Sequence, residues 1–439
     1  MTCALAFLCA PVVAYAQTQD YSQMQNWLKM SENPGTIKPG TVITMSNWRQ
    51  YKKFMPLGMI TLFEGKYFWK MPQDVQIDIG PAEHDLLPKT YVAATEKYGH
   101  QTKVVHLPNG TMDVADYWGG VPFPNPQPPD QGYKLLVDNW YSYVPNVYCN
   151  GTNNPGFIYL QDRFHNVSHS SFLVVYRQTA FNTDPGVPHT LPNANGTWYT
   201  EYIMQETPQE AKYTQTLQLF WQDERKFPGL FVYVPSLRRT LRMSTTARCA
   251  PLFGSDWTND DAKTIGFNGG INLFNAKLLG ERKIIALIDY NEDYGDFPNN
   301  WLMPLGFSKP SWGKWQVRPV NVLDIRRLPN YRAGYCYGHR VLYQDQGFYY
   351  ALWEDLYDSG NKLWKLSWLA PRVRPVPELG RVITNSVGAS VWDIENNHAT
   401  YWKSANTKGN DPFFNQDTPK QYLNAVRFGT PGGLAQAMR

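Results

Sequence analysis

Charge is scarce in this 439-residue chain: Asp, Glu, Lys and Arg together make up 18% of it, and the net charge is only +4. No lysine-rich stripe, zinc-finger spacing or RNA-reading motif accompanies that mild excess, so the sequence falls short of a nucleic-acid footprint. Long apolar runs are missing as well. After residue 16 no continuous apolar stretch approaches the roughly 20 residues that a membrane-spanning helix needs. Catalytic signatures are equally absent. There is no G-x-S-x-G nucleophile turn, no phosphate-binding glycine loop and no dinucleotide fingerprint. Nothing in the sequence argues for an enzyme or for a cofactor.

Cysteine is rare, with five in all, and no C-x-x-C pair occurs. Two of them, Cys3 and Cys9, fall in the opening stretch MTCALAFLCAPVVAYA, which is uncharged, mostly apolar and ends in Ala14-Tyr15-Ala16. That stretch has the apolar centre and small-x-small end of a secretory signal, although a positive leading region is missing. Cys9 follows Leu8 and precedes further apolar sequence, which does not read as an acylation site. The expectation is export with cleavage after Ala16, no permanent anchor and a soluble mature chain. Cys149, Cys249 and Cys336 then remain in an oxidising compartment, where at most one disulfide can form. Spacing does not decide which two would pair.

Aromatic residues, by contrast, are abundant at 15%. They imply a large core, a wide aromatic binding surface, or both. The most informative segment begins at Phe227. Leu230, Val232 and Val234 alternate with Phe231 and Tyr233, a Pro235-Ser236 turn follows, and Leu237, Arg239, Leu241 and Met243 share one face of the next run. This is the pattern of a β-hairpin. Arg238, Arg239 and Arg242 give it a basic edge, and Asp256, Asp260 and Asp261 follow shortly after. We expect Phe231, Tyr233, Leu237, Leu241, Met243 and Trp221 to line or border a hydrophobic ligand surface, with Arg238, Arg239 and Arg242 at its rim. The plainer reading is that arginines and aspartates pair with each other and only hold a loop.

Elsewhere, Ser46 reads as the N-cap of a helix over residues 47–55, stopped at Pro56, and a second helix is expected over 89–98 with Tyr91, Ala94 and Thr95 at helical spacing. The proline-rich stretch 119–132 reads as an extended strap within one domain, 17–439. Short strands are expected over 171–177, 213–223, 230–234, 237–243, 284–288, 340–344, 348–353 and 363–368. Turns at Asp345-Gln346-Gly347 and Asp358-Ser359-Gly360 make the last three a pair of hairpins in series. Long helices between strands are missing, so an antiparallel sheet follows and a parallel βαβ fold does not. His165 and His169 stand four apart, but Asn166 occupies the place where a zincin carries Glu. The acids of GSDWTNDD do not follow the order of a calcium loop. Glu354 and Asp355, beside Trp353, are the carboxylate pair that glycoside chemistry would first suggest. No metal site is expected.

The order ERKFPGLFVYVPSLRRTLRM, GSDWTNDD, GFNG and AKLLGERK, flanked by TVITMSNWRQYKKFMPLGM and GHRVLYQDQGFYYALWEDLYDSGNKLWKLSW, closely resembles the bacterial periplasmic domain-of-unknown-function family 1329. That family is grouped with the LolA/LolB-like outer-membrane lipoprotein carriers. The resemblance implies a mainly β (α+β) fold, a large curved antiparallel sheet forming a half-open partial barrel covered by a few short helices. It also implies a periplasmic carrier of a lipid or other amphiphile bound for the outer membrane. A transporter of the resistance-nodulation-division (RND) type and outer-membrane proteins are the candidate partners, with only transient membrane contact. The alternatives are a structural or accessory envelope protein whose sheet is filled by its own side chains, or an unrecognised hydrolase.

Overall fold

The computed structural model describes residues 23–438 except 152–154, 245–247, 262, 264–265, 292–296 and 404–411. The expected signal segment therefore lies outside the described residues. Thirteen strands form the backbone of one antiparallel sheet. In chain order they are β1 (Gly156–Gln161), β2 (Val167–Gln178), β3 (Thr197–Thr207), β4 (Gln215–Trp221), β5 (Gly229–Val234), β6 (Arg239–Arg242), β7 (Phe274–Ala286), β8 (Gln316–Arg327), β9 (His339–Asp345), β10 (Ala351–Tyr357), β11 (Leu363–Val376), β12 (Gly380–Asp393) and β13 (His398–Lys403). Their order across the sheet is β6-β5-β4-β3-β2-β1-β13-β12-β11-β10-β9-β8-β7. Two meanders, each a run of hairpins, are thus zipped together by one long-range pairing of β1 with β13, from Phe157↔Lys403 to Gln161↔Ala399. A short strand, Val147–Cys149, adds to β2, and Phe413–Phe414 pairs with it in turn.

Hairpin connections explain why local alternation was enough to reveal most of these strands. The two hairpins in series around Asp345 and Asp358 are present as β9-β10-β11. Asp345 Oδ1 accepts from the Gly347 amide at 2.7 Å, so the first turn is built by its own acid. That turn also delays β10, which starts at Ala351 and not at Phe348. Likewise β6 starts at Arg239 and not at Leu237, because Pro235–Leu237 form a 3₁₀ turn followed by Arg238 in the left-handed region at φ 50°.

The sheet curls without closing: β6 and β7 are its two free ends. Register breaks at Leu278/Gly280, Tyr343/Gln344 and Pro371/Arg372 are bulges of the kind that bend strands. Within the curl lies a helix the sequence reading passed over, here α3 (Gln131–Trp140), after α1 (Leu57–Phe63) and α2 (Lys89–Tyr98). Tyr133, Leu136, Val137 and Trp140 recur at helical spacing and are all buried. Gly132 sits against the Ala276 carbonyl of β7, while Trp140 meets Trp198 and Phe220 of β3 and β4 at ring separations of 5.0 Å. One helix therefore touches both halves of the sheet, which defines the concave side. The 119–132 stretch leads directly into it, with the Phe123 amide donating to Asp138 Oδ1 at 2.8 Å.

The convex side of the second meander is covered by the N-terminal segment. Trp27, Trp48, Phe63 and Trp69 pack there with Tyr343, Trp353, Trp368 and Trp392. The expected helix over 47–55 is shorter, an α-turn at Trp48–Tyr51 and a 3₁₀ turn at Lys52–Phe54. Its N-cap position is Asn47, because the Ser46 hydroxyl is engaged with Thr44 Oγ1 at 2.8 Å. Pro56 ends that turn and opens α1, a common role for proline at a helix start. The back of the first meander is covered by the C-terminal helix α4 (Ala425–Gly429) and Leu434. Cys249 and Cys336 form the disulfide and Cys149 is a buried free thiol. Among the described residues no helix is long and apolar enough to cross a membrane.

Candidate functional site

Helix α2 follows the expected span, and its two faces do different work. Tyr91 and Ala94 are buried, the Tyr91 hydroxyl donating to the Tyr141 carbonyl at 2.8 Å. Lys89, Val92, Ala93 and Glu96, spaced i, i+3, i+4 and i+7, form the opposite face. They make one wall of a cleft of about 640 Å³ whose other walls are the His84–Leu87 segment, Arg318 and Pro319 of β8, and Gly347 and Phe348 of the β9–β10 turn. Most of its lining is apolar. The walls are rigidly held. Arg318, almost fully buried, forms a two-pronged ion pair with Asp345 (Nε–Oδ2 2.7 Å, Nη2–Oδ1 3.1 Å) and lies over the Phe348 ring. The Ile383 amide donates to the Leu86 carbonyl at 2.8 Å and pins the third wall to β12. The periodicity of 89, 92, 93 and 96 was legible, but nothing local shows that a strand turn would face it across open space.

The predicted hairpin residues are separated by the sheet. Trp221, Phe231 and Tyr233 point to the back of the first meander, where they pack with Leu217, Leu219, Phe428 and Leu434 under the C-terminal segment. Leu241 pairs with Val232, on the other face. Leu237, Met243, Arg238, Arg239 and Arg242 are exposed at the sheet edge, and none of these arginines forms an ion pair among the described residues. Neither the α2 cleft nor a second, smaller cleft of about 330 Å³ beside Asp162, Asp256 and His398 is lined by a hairpin residue.

The acids that follow the hairpin have different partners. Asp260 accepts from Arg248 Nε at 2.7 Å, from Arg340 Nη2 at 3.2 Å and from the Tyr335 hydroxyl at 2.6 Å. Asp261 accepts from Arg340 Nη2 at 3.0 Å and from the Tyr337 hydroxyl at 2.7 Å. Burial alone would raise the pKa of Asp260, but the two guanidinium groups outweigh it and hold the carboxyl below its ordinary value. Asp256 bonds instead to Thr400 at 2.7 Å, and burial pushes it up to about 6. Pairing of arginine with aspartate thus occurs for Asp260 with Arg248 and Arg340 and for Asp261 with Arg340, and does not extend to Asp256 or to Arg238, Arg239 and Arg242 among the described residues.

Behind this network the concave side is filled by the chain itself. Lys263 is fully buried, with its ammonium 4.1 Å from the Trp140 ring centre and 4.9 Å from that of Trp198. Its Nζ donates to the Trp140 carbonyl at 2.6 Å. Burial pushes its pKa down to about 7, against the opposing pull of Glu201 and Glu224. Glu354 and Asp355 do not form a pair. As neighbours on β10 they face opposite sides of the sheet. Glu354 meets Arg340 at 3.6 Å, whereas Asp355 accepts from Tyr343, Trp353 and the Gly58 amide on the convex side. His165 sits in a turn at φ 67° and His169 in β2, so the helical geometry that would align them does not arise.

A curled antiparallel sheet around one helix, with an open apolar cleft at its flank, defines an open β half-barrel. The chain belongs to the family DUF1329, a family of unknown function, which it matches over residues 42–431. No curated protein matches it significantly. Among solved structures it is similar to a DUF1329 family protein from Desulfovibrio piger, at 13% identity and a TM-score of 0.45, over 68% of this chain and 97% of that one. It is similar to a domain described as a candidate outer membrane lipoprotein-sorting protein from Vibrio parahaemolyticus, at 12% identity and a TM-score of 0.45, over 67% and 96%. A LolA superfamily protein from Nitrosomonas europaea is similar at 12% identity and a TM-score of 0.37, over 64% and 92%.

Proposed function

We propose that this protein is a non-catalytic binding protein of the bacterial periplasm that carries a lipid or other amphiphile towards the outer membrane, holding it in the α2 cleft. The observation that carries this reading is the cleft itself: about 640 Å³, open on one side, mainly apolar, with Lys89 at one end of its helical wall. An acyl chain contributes roughly 0.8 kcal/mol for each CH₂ it buries. A dozen methylenes would supply about 10 kcal/mol, which offsets all but the upper part of the roughly 4–15 kcal/mol that association costs. An open cleft lets such a ligand leave for a better acceptor without any bond being broken. Lys89 suits an anionic or polar headgroup, and an RND-type transporter is the delivery partner in this reading.

A second reading is favoured by the self-filled concave side. With α3, Lys263 and the ion-pair network occupying the curl, the protein could act as an accessory envelope subunit with no cargo. The two readings separate on Ala93→Trp, which fills the cleft from an exposed helical position. For a carrier, affinity for a fluorescent fatty-acid probe falls at least about tenfold while the melting temperature holds, a loss of about 1.4 kcal/mol of binding. Protein purified from its own periplasm should also release lipid on extraction. Unchanged probe binding in the variant, or no probe binding by the parent protein, would leave the accessory reading standing.

A further inference from the structure

The β5–β6 turn and the β3–β4 turn emerge side by side at one end of the sheet, because Tyr233 pairs with Gln215 and Val234 with Arg239. Each turn presents an apolar side chain to solvent. Leu237 is 55% exposed at the tip of one, and Tyr213 is 38% exposed in the other, held there by a left-handed backbone at φ 67°. Cations flank both. Lys212 Nζ lies 5.2 Å from the Tyr213 ring centre, and Arg238, Arg239 and Arg242 are exposed. No Asp or Glu occurs between Gly229 and Ser244, and the acids at this end are the partly buried Glu206 and the exposed Glu210. Among the described residues of these two turns and the adjoining strand ends, Lys212, Arg238, Arg239 and Arg242 thus stand against Glu206 and Glu210.

We propose that this end of the sheet is a docking surface for an anionic phospholipid bilayer. Exposed leucine and tyrosine at turn tips are costly in water and gain by entering the interfacial zone, where an aromatic ring with a polar tip is at home. The exposed arginines close to them, which form no ion pair among the described residues, meet the phosphates, each worth about 1 kcal/mol near an anionic surface. The geometry brings the sheet edge to the membrane without a spanning segment, so contact is reversible, as a single interfacial insertion is. This docking does not depend on cargo in the α2 cleft. A ligand-free protein, or one whose cleft has been filled by Ala93→Trp, docks equally well.

Co-sedimentation with vesicles tests it, using phosphatidylethanolamine mixed with phosphatidylglycerol against pure phosphatidylcholine. The mature protein is expected to bind the anionic vesicles and to lose that binding in high salt. Leu237→Asp and Arg239→Glu each reduce binding about tenfold without moving the melting temperature, since both positions are exposed. A third variant, Tyr213→Ser, reports from the other turn and is expected to weaken binding too. Equal binding to both vesicle types, no binding to either, or full retention of binding in Leu237→Asp and Arg239→Glu overturns the proposal. A fatty-acid probe read in parallel keeps the carrier reading separate, because it reports on the cleft and not on the turns.

Discussion

Glu354 shows how a single side chain takes its character from its surroundings. Two guanidinium groups, Arg248 and Arg340, already face two carboxylates, Asp260 and Asp261, so an ionised Glu354 would be an excess acid in a dry interior. Burial raises its pKa to about 8 in spite of Arg340, and neither carboxyl oxygen accepts a hydrogen bond among the described residues. The folded protein therefore holds a proton that the unfolded chain releases near pH 4.5. The stability this contributes is complete below that pH and is lost as pH rises through about 8. Glu354→Gln, which cannot ionise, should flatten the fall in stability across this window by up to about 1.4 kcal/mol per pH unit. Urea unfolding of both proteins at several pH values measures it, and parallel profiles would show that Glu354 is ionised in the fold. The hairpin makes a related point. Alternation separates Phe231 and Tyr233 from Leu241, but only the C-terminal cover shows which set is inside.

At the scale of elements, helix α3 is the part that touches both halves of the sheet. Its first turn approaches β7 so closely that a Cβ at Gly132 would stand 2.3 Å from the Ala276 carbonyl oxygen and 2.7 Å from the Leu278 amide nitrogen. These are backbone atoms, so a side chain there cannot be accommodated by a rotamer change. Gly132→Ala should cost about 1–3 kcal/mol despite alanine's better helix propensity. A variant as stable as the parent in a thermal melt would mean that α3 does not seat on β7 as described. Helix α2 depends less on close approach, since its outer face opens on the cleft. Substitutions at Val92 or Ala93 should therefore change binding before they change folding.

For the molecule as a whole, the Cys249–Cys336 disulfide joins the link between the two meanders to the approach to β9, across a sequence separation of 87. It sits among the groups of the ion-pair network. Arg248 precedes one cysteine, and Tyr335 and Tyr337 flank the other. Closing so long a loop restricts the unfolded chain, and Cys249→Ser with Cys336→Ser should lower unfolding free energy by about 2–5 kcal/mol. Denaturant titration of the double variant, with the parent protein under reducing conditions as a control, measures this. A shift well below 1 kcal/mol would mean that the network alone holds the linker.

The hairpin strands β2, β4, β5, β6, β9, β10 and β11, helix α2 and the absence of familiar catalytic motifs were legible in the sequence alone, because hairpins and amphipathic helices are written in alternation and spacing over a few residues, whereas β1, β3, β8, β12, β13 and most of β7 were passed over. Family membership was legible in the ordered motifs around GSDWTNDD. Tertiary structure alone decided the rest. Which two cysteines meet depends on a fold that brings 249 to 336. Arg340, distant in sequence from Asp260 and Asp261, becomes their partner only when β9 is laid beside that loop. Glu354 and Asp355 look like a pair along the chain and are separated by the sheet they belong to. The α2 cleft has no local signature across its walls, because its volume is what remains after β8, the β9–β10 turn and the 84–87 segment have been packed from distant parts of the sequence.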